Sequence, residues 1–394
     1  MAVERIGIYG GTFNPPHVGH IGAAKFAIDA LSLDKILLIP SCVSPHKDLP
    51  ANSPTPAQRA EMLRLAKMEK MQVSDIELTR GGTSYTYETV EALAGQYPNG
   101  ELVLLMGTDM FLSFCNWKEP QRILDKVSLG VLYRGDKDEL TQIAEQKKTL
   151  EEQDARVYLV ENPVTAISST QLRRLLRFGC AGEYLSPAVA DYIQKNNLYG
   201  VKDDYRNLPM DKLEEAVVSL LKPNRVKHVL GCRDTAVELA KRWGADPTDA
   251  GRAGLLHDIT KALDGPLQLT LCREYGIVLG DFSRENPKTL HAFTGSLVAE
   301  RIFGENKQVV DAIRSHTTGK ANMNTLEKIL YVADYMEPNR DFPGVEELRK
   351  LAFENLDQAL KLGLTMTLDL LQKNNQDISP ESAEALRFLQ NTGV

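Results

Sequence analysis

Gly10-Gly11-Thr12-Phe13-Asn14-Pro15-Pro16-His17-Val18-Gly19-His20 joins a short strand signal at residues 5–9 to a stretch of helical spacing at residues 18–31. Glycine lacks the Cβ that would hold a ligand away, so a glycine turn after a strand lets the backbone approach a polyphosphate closely. His17 and His20 are three apart at the start of the predicted helix and share one face. Two imidazoles beside a helix N-terminus offer donors to phosphate oxygens. The glycine pair alone would serve a tight turn with a capping histidine equally well. The whole string is a far stronger signal, and it reads as a nucleotide site.

Outward from it the same alternation continues. Residues 35–40, 72–76, 101–106, 128–133 and 156–160 read as strands, and residues 57–70, 87–96, 169–177 and 187–196 as helices. Such an order implies a Rossmann-like α/β domain with a parallel, doubly wound sheet. Ligands of such sheets sit at the strand C-terminal ends, where Gly10, Gly107 and the loop after Val160 are expected. Past residue 200 the pattern changes. Residues 201–207 are polar without periodicity and read as a linker. From 208 to 394 the segments 210–221, 224–243, 250–260, 266–275, 290–303, 307–315, 324–335 and 345–372 all carry helical spacing, and none reads as a strand. An α/β domain over residues 1–200 is therefore expected before an all-α domain over residues 208–394.

Composition narrows the function classes. A chain of 394 residues exceeds one ordinary core, in agreement with two domains. The net charge of −7 is spread about evenly over both halves, which argues against a nucleic-acid partner and leaves small anionic substrates open. Five cysteines without a C-x-x-C pair read as reduced thiols. No apolar run approaches the roughly 18 residues that span a bilayer, and no signal peptide is recognisable, so a cytoplasmic protein without a membrane partner is expected. Association of copies of this chain is compatible with the sequence. Of the two tryptophans, Trp243 at a helix end reads as core packing.

The N-terminal half resembles the nucleotidyltransferases with the H-x-G-H signature, and more closely the bacterial nicotinate-nucleotide adenylyltransferases, over about residues 1–200. Besides the opening string, Pro40-Ser41, Pro45-His46-Lys47, Gly82-Thr83-Ser84-Tyr85-Thr86, Met106-Gly107-Thr108-Asp109, Trp117 and Ile167-Ser168-Ser169-Thr170-Gln171-Leu172-Arg173 carry the resemblance. It implies transfer of AMP from ATP, with Mg²⁺, to nicotinate mononucleotide. Because the acceptor phosphate is itself the nucleophile, positioning and charge stabilisation should carry the catalysis. His17 and His20 are the catalytic candidates, with His20 nearest the α-phosphoryl group. The expected ATP group also includes Gly10, Gly11, Thr12, Phe13, Gly107, Asp109, Ile167, Ser168, Ser169, Thr170 and Arg173. The mononucleotide group is His46, Lys47, Thr83, Tyr85, Thr86 and Trp117, the last stacking on the pyridine ring.

The other four histidines lie in the second half. His228, the pair His257-Asp258 and Asp334 are the pieces of an H…HD…D metal site, and His291 and His316 extend it. The flanking runs are apolar, and a buried charge needs a partner or a metal. Four ligands complete one site; six support two ions if Asp258 bridges, with Asp258 at the centre of the chemistry. Donors without thiolate suit iron, manganese, cobalt or zinc. Together with Lys261, Ser315-His316-Thr317-Thr318-Gly319 and Pro338-Asn339-Arg340-Asp341, these residues resemble the HD-superfamily symmetrical diadenosine tetraphosphate hydrolases over about residues 206–394. That resemblance implies cleavage of diadenosine tetraphosphate to two ADP at a di-iron centre, with Lys261 and Arg340 as candidates for substrate phosphate. The chain departs from it at Lys288-Thr289-Leu290, where the family has a glycine-containing loop. Two alternatives stand beside it: a nucleotide-sensing module, or hydrolysis of another nucleotide such as a guanosine polyphosphate.

Overall fold

A computed structural model describes residues 3–45, 48–50, 52–133, 137–162 and 167–392. The chain divides into two compact units, Met1–Lys202 and Asp203–Val394.

In the first unit β1 (Arg5–Gly11), β2 (Lys35–Pro40), β3 (Met71–Val73), β4 (Glu101–Gly107), β5 (Ser128–Tyr133) and β6 (Val157–Glu161) form one sheet in the order β3-β2-β1-β4-β5-β6. Every pairing is parallel. Alternation along the strands fills both faces. Ile6, Ile8, Leu37, Ile39, Leu102, Leu104, Met106 and Leu129 enter one core. Ile36, Leu38, Val103, Leu105 and Leu132 enter the other, against Ala23, Ala24, Ala27 and Ile28 of the helix Val18–Ala30. A sheet covered on both sides explains why its strands read as apolar runs. The chain builds outward from β1 to β3, then returns to the other flank of β1 at β4. The crevice between β1 and β4 is the switch point at which such sheets bind ligands.

Several boundaries differ from the expectation. β1 and β4 run on through Gly10–Gly11 and Gly107. The third strand is only Met71–Val73, and Ile76 already opens a short helix, Ile76–Arg80. The helix Lys137–Glu151 was not anticipated, because only Ile143 and Leu150 of its apolar residues are fully buried.

The second unit is helical, with no strand among its described residues. The expected single helix at 345–372 is two, Val345–Glu354 and Leu356–Lys373. Asn355 between them is extended, and its side chain accepts from the Gln358 amide to cap the second. A further helix, Pro380–Asn391, follows. Trp243 is half-buried and donates its indole N–H to the Ala352 carbonyl, 2.9 Å. No helix of the described residues is long and apolar enough to cross a membrane.

The helices Pro223–Trp243 and Pro247–Leu256 touch backbone to backbone. A Cβ on Gly254 would lie 2.6 Å from the Arg233 Cα. Gly254→Ala should therefore destabilise this unit by about 1–3 kcal/mol through overpacking, seen as an earlier transition in scanning calorimetry. An unchanged midpoint would show that the two helices separate without cost.

Candidate functional sites

In the first unit the segment after β1 is held by buried polar contacts. Phe13 takes a left-handed backbone conformation with φ 47°, and the Asn14–Pro15 peptide is cis. Asn14 is almost fully buried. Its side chain donates to Ser53 Oγ, 3.0 Å, and accepts from the Tyr199 hydroxyl, 2.8 Å. The helix Ser169–Arg177 clasps the same turn: Arg173 donates to the Asn14 carbonyl, 2.8 Å, and Ser169 to the Pro15 carbonyl, 3.1 Å. His17 then caps the helix Val18–Ala30 by position, without a side-chain hydrogen bond. Its ring stacks on His20 with centroids 3.7 Å apart, and Phe13 meets His20 edge-on at 5.1 Å. Burial lowers His17 to about 4, so this imidazole is neutral at pH 7, and its Nδ1 is buried without a hydrogen-bond partner.

Two cavities open at the strand ends. One, of about 500 Å³, is lined by His17, His20, Thr12, Gly107, Asp109, Ile167, Ser168, Ser169, Thr170 and Arg173, among others. The second, of about 300 Å³, is lined by Gly10, Gly11, Thr12, Phe13, His20, Thr86, Gly107 and Trp117, among others. Both include Tyr9, Thr12, His20, Gly107 and Met110, so they meet at His20. A Cβ on Gly10 or Gly107 would touch no protein atom, and both residues line this space. Gly10, Gly11 and Phe13 were expected with the ATP group, yet they line the cavity that contains Trp117.

Trp117 leans on Phe114, 5.3 Å between centroids, and also lines a third space of about 370 Å³ with Tyr85, Thr86 and Lys118. Thr83 pairs its backbone with Val43 and does not line these cavities. His46 and Lys47 lie outside the described residues; their neighbours Ser44 and Pro45 line the second cavity.

Sequence reasoning missed three charged residues here. Arg59 is fully buried and donates to the carbonyls of Thr12 and Ser41, both 2.6 Å, and of Cys42, 3.3 Å. Glu77, buried in the wall of the second cavity, accepts from Thr89 at 2.8 Å, and burial raises its carboxyl above the ordinary value. Lys118 places its ammonium 4.1 Å from the Tyr85 ring centre. For Arg59 and Glu77, a lone charge in a helical pattern signals nothing about burial until distant segments close over it.

In the second unit all six expected donors converge. His228 comes from the helix Pro223–Trp243, His257 and Asp258 from the end of Pro247–Leu256, His291 from Leu290–Arg301, His316 from the end of Lys307–Ser315, and Asp334 from Thr325–Met336. His228 Nε2 lies 3.2 Å from His257 Nε2 and 3.1 Å from Asp334 Oδ1. Asp258 turns Oδ2 toward His228 and His257, 3.7 and 3.6 Å, and Oδ1 toward His291, 3.5 Å. Within this cluster His228, His257 and Asp334 form one group with metal-binding spacing, and His257, Asp258 and His316 another.

Outer contacts aim the rings. The Nδ1 atoms of His228, His257 and His316 face Glu337 Oε1, the Gly254 carbonyl and the Ile313 carbonyl at 3.1, 2.8 and 2.7 Å, leaving their Nε2 atoms inward. Burial works to raise the Asp258 carboxyl, but the imidazoles of His257 and His291 outweigh it and hold it below the ordinary value. Asp334 is held well below that value against its burial, by the His228 hydrogen bond, His257 and Arg340. Burial lowers His316 to about 4. Two ionised carboxylates and inward imidazole nitrogens suit a divalent cation. Arg340 donates to Asp334 Oδ1 at 2.7 Å, Arg225 pairs with Asp258, and Lys261 Nζ lies 3.0 Å from His291 Nε2. Arg225 belongs to the segment Arg225-Val226-Lys227-His228 that carries the resemblance, without an expected role, and Glu337 was not singled out from sequence.

The chain matches the cytidylyltransferase-like family over residues 8–175 and the HD domain over residues 225–339. Over 202 residues it is 37% identical to a probable nicotinate-nucleotide adenylyltransferase of Dictyoglomus turgidum, spanning 50% of this chain and 97% of the relative. Over 174 residues it is 40% identical to the symmetrical bis(5'-nucleosyl)-tetraphosphatase of Bacillus subtilis, spanning 43% of this chain and 92% of the relative. The enzyme of that name from Halalkalibacterium halodurans is 41% identical over 170 residues, 42% of this chain and 90% of its own.

The buried stack at His17 has a titration consequence. The unfolded chain takes up this proton near the ordinary 6.5 and the folded chain only near 4. The stability contributed by neutral His17 is therefore complete above about pH 6.5 and lost as pH falls toward 4. Histidine ring resonances followed by NMR should show one imidazole of the first unit with this low midpoint, absent in His17→Gln. A His17 midpoint near 6.5 would show an exposed ring.

Proposed function

Because the chain belongs to two enzyme families, the nicotinate-nucleotide adenylyltransferases through its N-terminal half and the HD-domain symmetrical bis(5'-nucleosyl)-tetraphosphatases through its C-terminal half, we propose that it is a bifunctional enzyme. The first unit transfers AMP from ATP to nicotinate mononucleotide; the second cleaves diadenosine tetraphosphate into two ADP.

The observation that carries the first reaction is the meeting of two cavities at His20. ATP, entering with Mg²⁺, occupies the larger, with its β- and γ-phosphates toward Ser168, Ser169, Thr170 and Arg173 and its ribose near Asp109. Nicotinate mononucleotide occupies the smaller, its ring on Trp117, and His46 and Lys47 are the residues assigned to its phosphate. An oxygen of that phosphate attacks the α-phosphorus, the α–β bridge breaks, and pyrophosphate leaves with the bonding electrons. No protein nucleophile is needed. The stacked imidazoles act by donating to the crowded phosphate oxygens at the transition state. The Lys118 ammonium near Tyr85 favours an acidic pyridine ring over its amide.

The second reaction is supported by the full set of six donors, which also favours hydrolysis over sensing. His228, His257 and Asp334 would hold one ion, and His291 and His316 a second, with Asp258 between them. We take both as iron. Such a pair would supply a Lewis-acidic seat for phosphate and a nucleophilic water at neutral pH. Arg225 and Arg340, part-exposed beside the ligand carboxylates, and Lys261 beside His291 receive the substrate's phosphate charge. Water adds to one inner phosphorus, the bridge to the other breaks, and each adenosine departs with two phosphates.

His20→Ala should slow adenylyl transfer about 100- to 1,000-fold, the loss of one transition-state donor, while ATP binding weakens less. Unchanged turnover would remove His20 from the reaction. Asp258→Asn should abolish ADP release from diadenosine tetraphosphate while adenylyl transfer by the same chain persists, both followed by chromatography. ATP plus AMP as wild-type products would place the cleavage at an outer phosphate bridge. Intact tetraphosphate with altered adenylyl transfer would favour the sensing module.

A further inference from the structure

The six donors of the second unit are unequally occupied by the protein's own groups. His228 and His257 turn their Nε2 atoms toward each other and toward carboxylate oxygens. The cations nearby, Arg225 and Arg340, rest on Asp258 and Asp334. A carboxylate oxygen engaged in that way keeps further acceptor capacity, so these ion pairs leave it able to ligate. His228 is also backed by a carboxylate: Glu337 Oε1 faces its Nδ1 at 3.1 Å, and Glu337 Oε2 is fixed by Asn339 N and Nδ2 at 2.8 and 2.7 Å. Such a partner sets the tautomer and raises the basicity of a ligand imidazole.

The other side differs. The Thr317 hydroxyl lies 3.1 Å from His291 Nε2 and 3.1 Å from His316 Nε2. The Lys261 ammonium lies 3.0 Å from Nε2 and 3.2 Å from Nδ1 of His291, so it rests against the ring and opposes a cation there by its charge, while the Thr317 hydroxyl competes for the lone pair. An imidazole nitrogen has a single in-plane lone pair, so a donor seated on it must leave before a cation can bind. The one carboxylate on this side, Asp258, is shared. A second divalent ion would also meet the Lys261 charge.

We propose that the two ion positions are unequal by construction: the position at His228, His257 and Asp334 fills first and holds tightly, and the position at Asp258, His291 and His316 fills second and exchanges readily. Glu337 is the positioning residue of the first. Thr317 and Lys261 are the groups that oppose the second. The proposal rests on the reading of this centre as a two-ion site.

The test is calorimetric titration of the full, chelator-stripped chain with Mn²⁺, with spin-resonance spectra recorded along it. Two steps are expected, separated on the order of 100-fold, with a spectrum of isolated ions through the first and of coupled ions only through the second. Glu337→Gln should weaken the first step about 10- to 100-fold. Thr317→Val should tighten the second about tenfold, the strength of one competing hydrogen bond, and Lys261→Ala should tighten it too. Two equal steps, coupled ions from the first equivalent onward, or a second step indifferent to both Thr317→Val and Lys261→Ala would overturn the proposal. Tight binding of a single ion only would overturn the two-ion reading along with it. No Mn²⁺ bound by a chain with native helical circular dichroism would overturn the metal reading itself.

Discussion

Arg59 has no exposed surface, and its guanidinium spans the carbonyls of Thr12, Ser41 and Cys42. Those carbonyls belong to the chain leaving β1 and β2, where regular pairing has ended and backbone acceptors would otherwise be left unsatisfied. One buried cation thus ties together the two loops that frame the second cavity. The left-handed residue Phe13 and the buried amide of Asn14 lie directly after Thr12. The positions of His17 and His20 follow from them, because the helix cannot begin until that turn is complete.

The second unit meets a similar constraint with the opposite sign. Its apolar helices bring imidazoles and two carboxylates out of water, and every charge there needs a counterpart. Backbone carbonyls aim His257 and His316, and Glu337 aims His228. The first unit sets Arg173 and the histidine pair along one open cavity and Lys118 along another. The second concentrates acceptors at one point, as befits cations. The relatives of both halves are named for reactions of nucleotides.

The sheet and most helices were legible because each strand is an apolar run and each long helix has a regular buried stripe. The break at Asn355 was not, since the apolar spacing passes across it and only the backbone there is extended. Nor was the helix Lys137–Glu151, whose buried Ile143 and Leu150 are too sparse to set a period. Histidine spacing gave the metal-type donors, while Arg59, Glu77 and Glu337 had no local signature. Their roles depend on which carbonyl, hydroxyl or imidazole a remote segment delivers. Gly10, Gly11 and Phe13, expected with the ATP group, line a cavity that also contains Trp117.

Each compact unit is a continuous stretch of chain, divided between Lys202 and Asp203. The strands of the first crevice and the Tyr199 hydroxyl on Asn14 all belong to the first unit. During synthesis the N-terminal unit can fold as it emerges from the ribosome, without waiting for downstream residues. The HD centre is of another kind, since Asp334 must return to His228 across more than half of that unit. Its donors assemble late, and a ribosome stalled between the two units would release a complete nucleotide pocket with no hydrolytic partner.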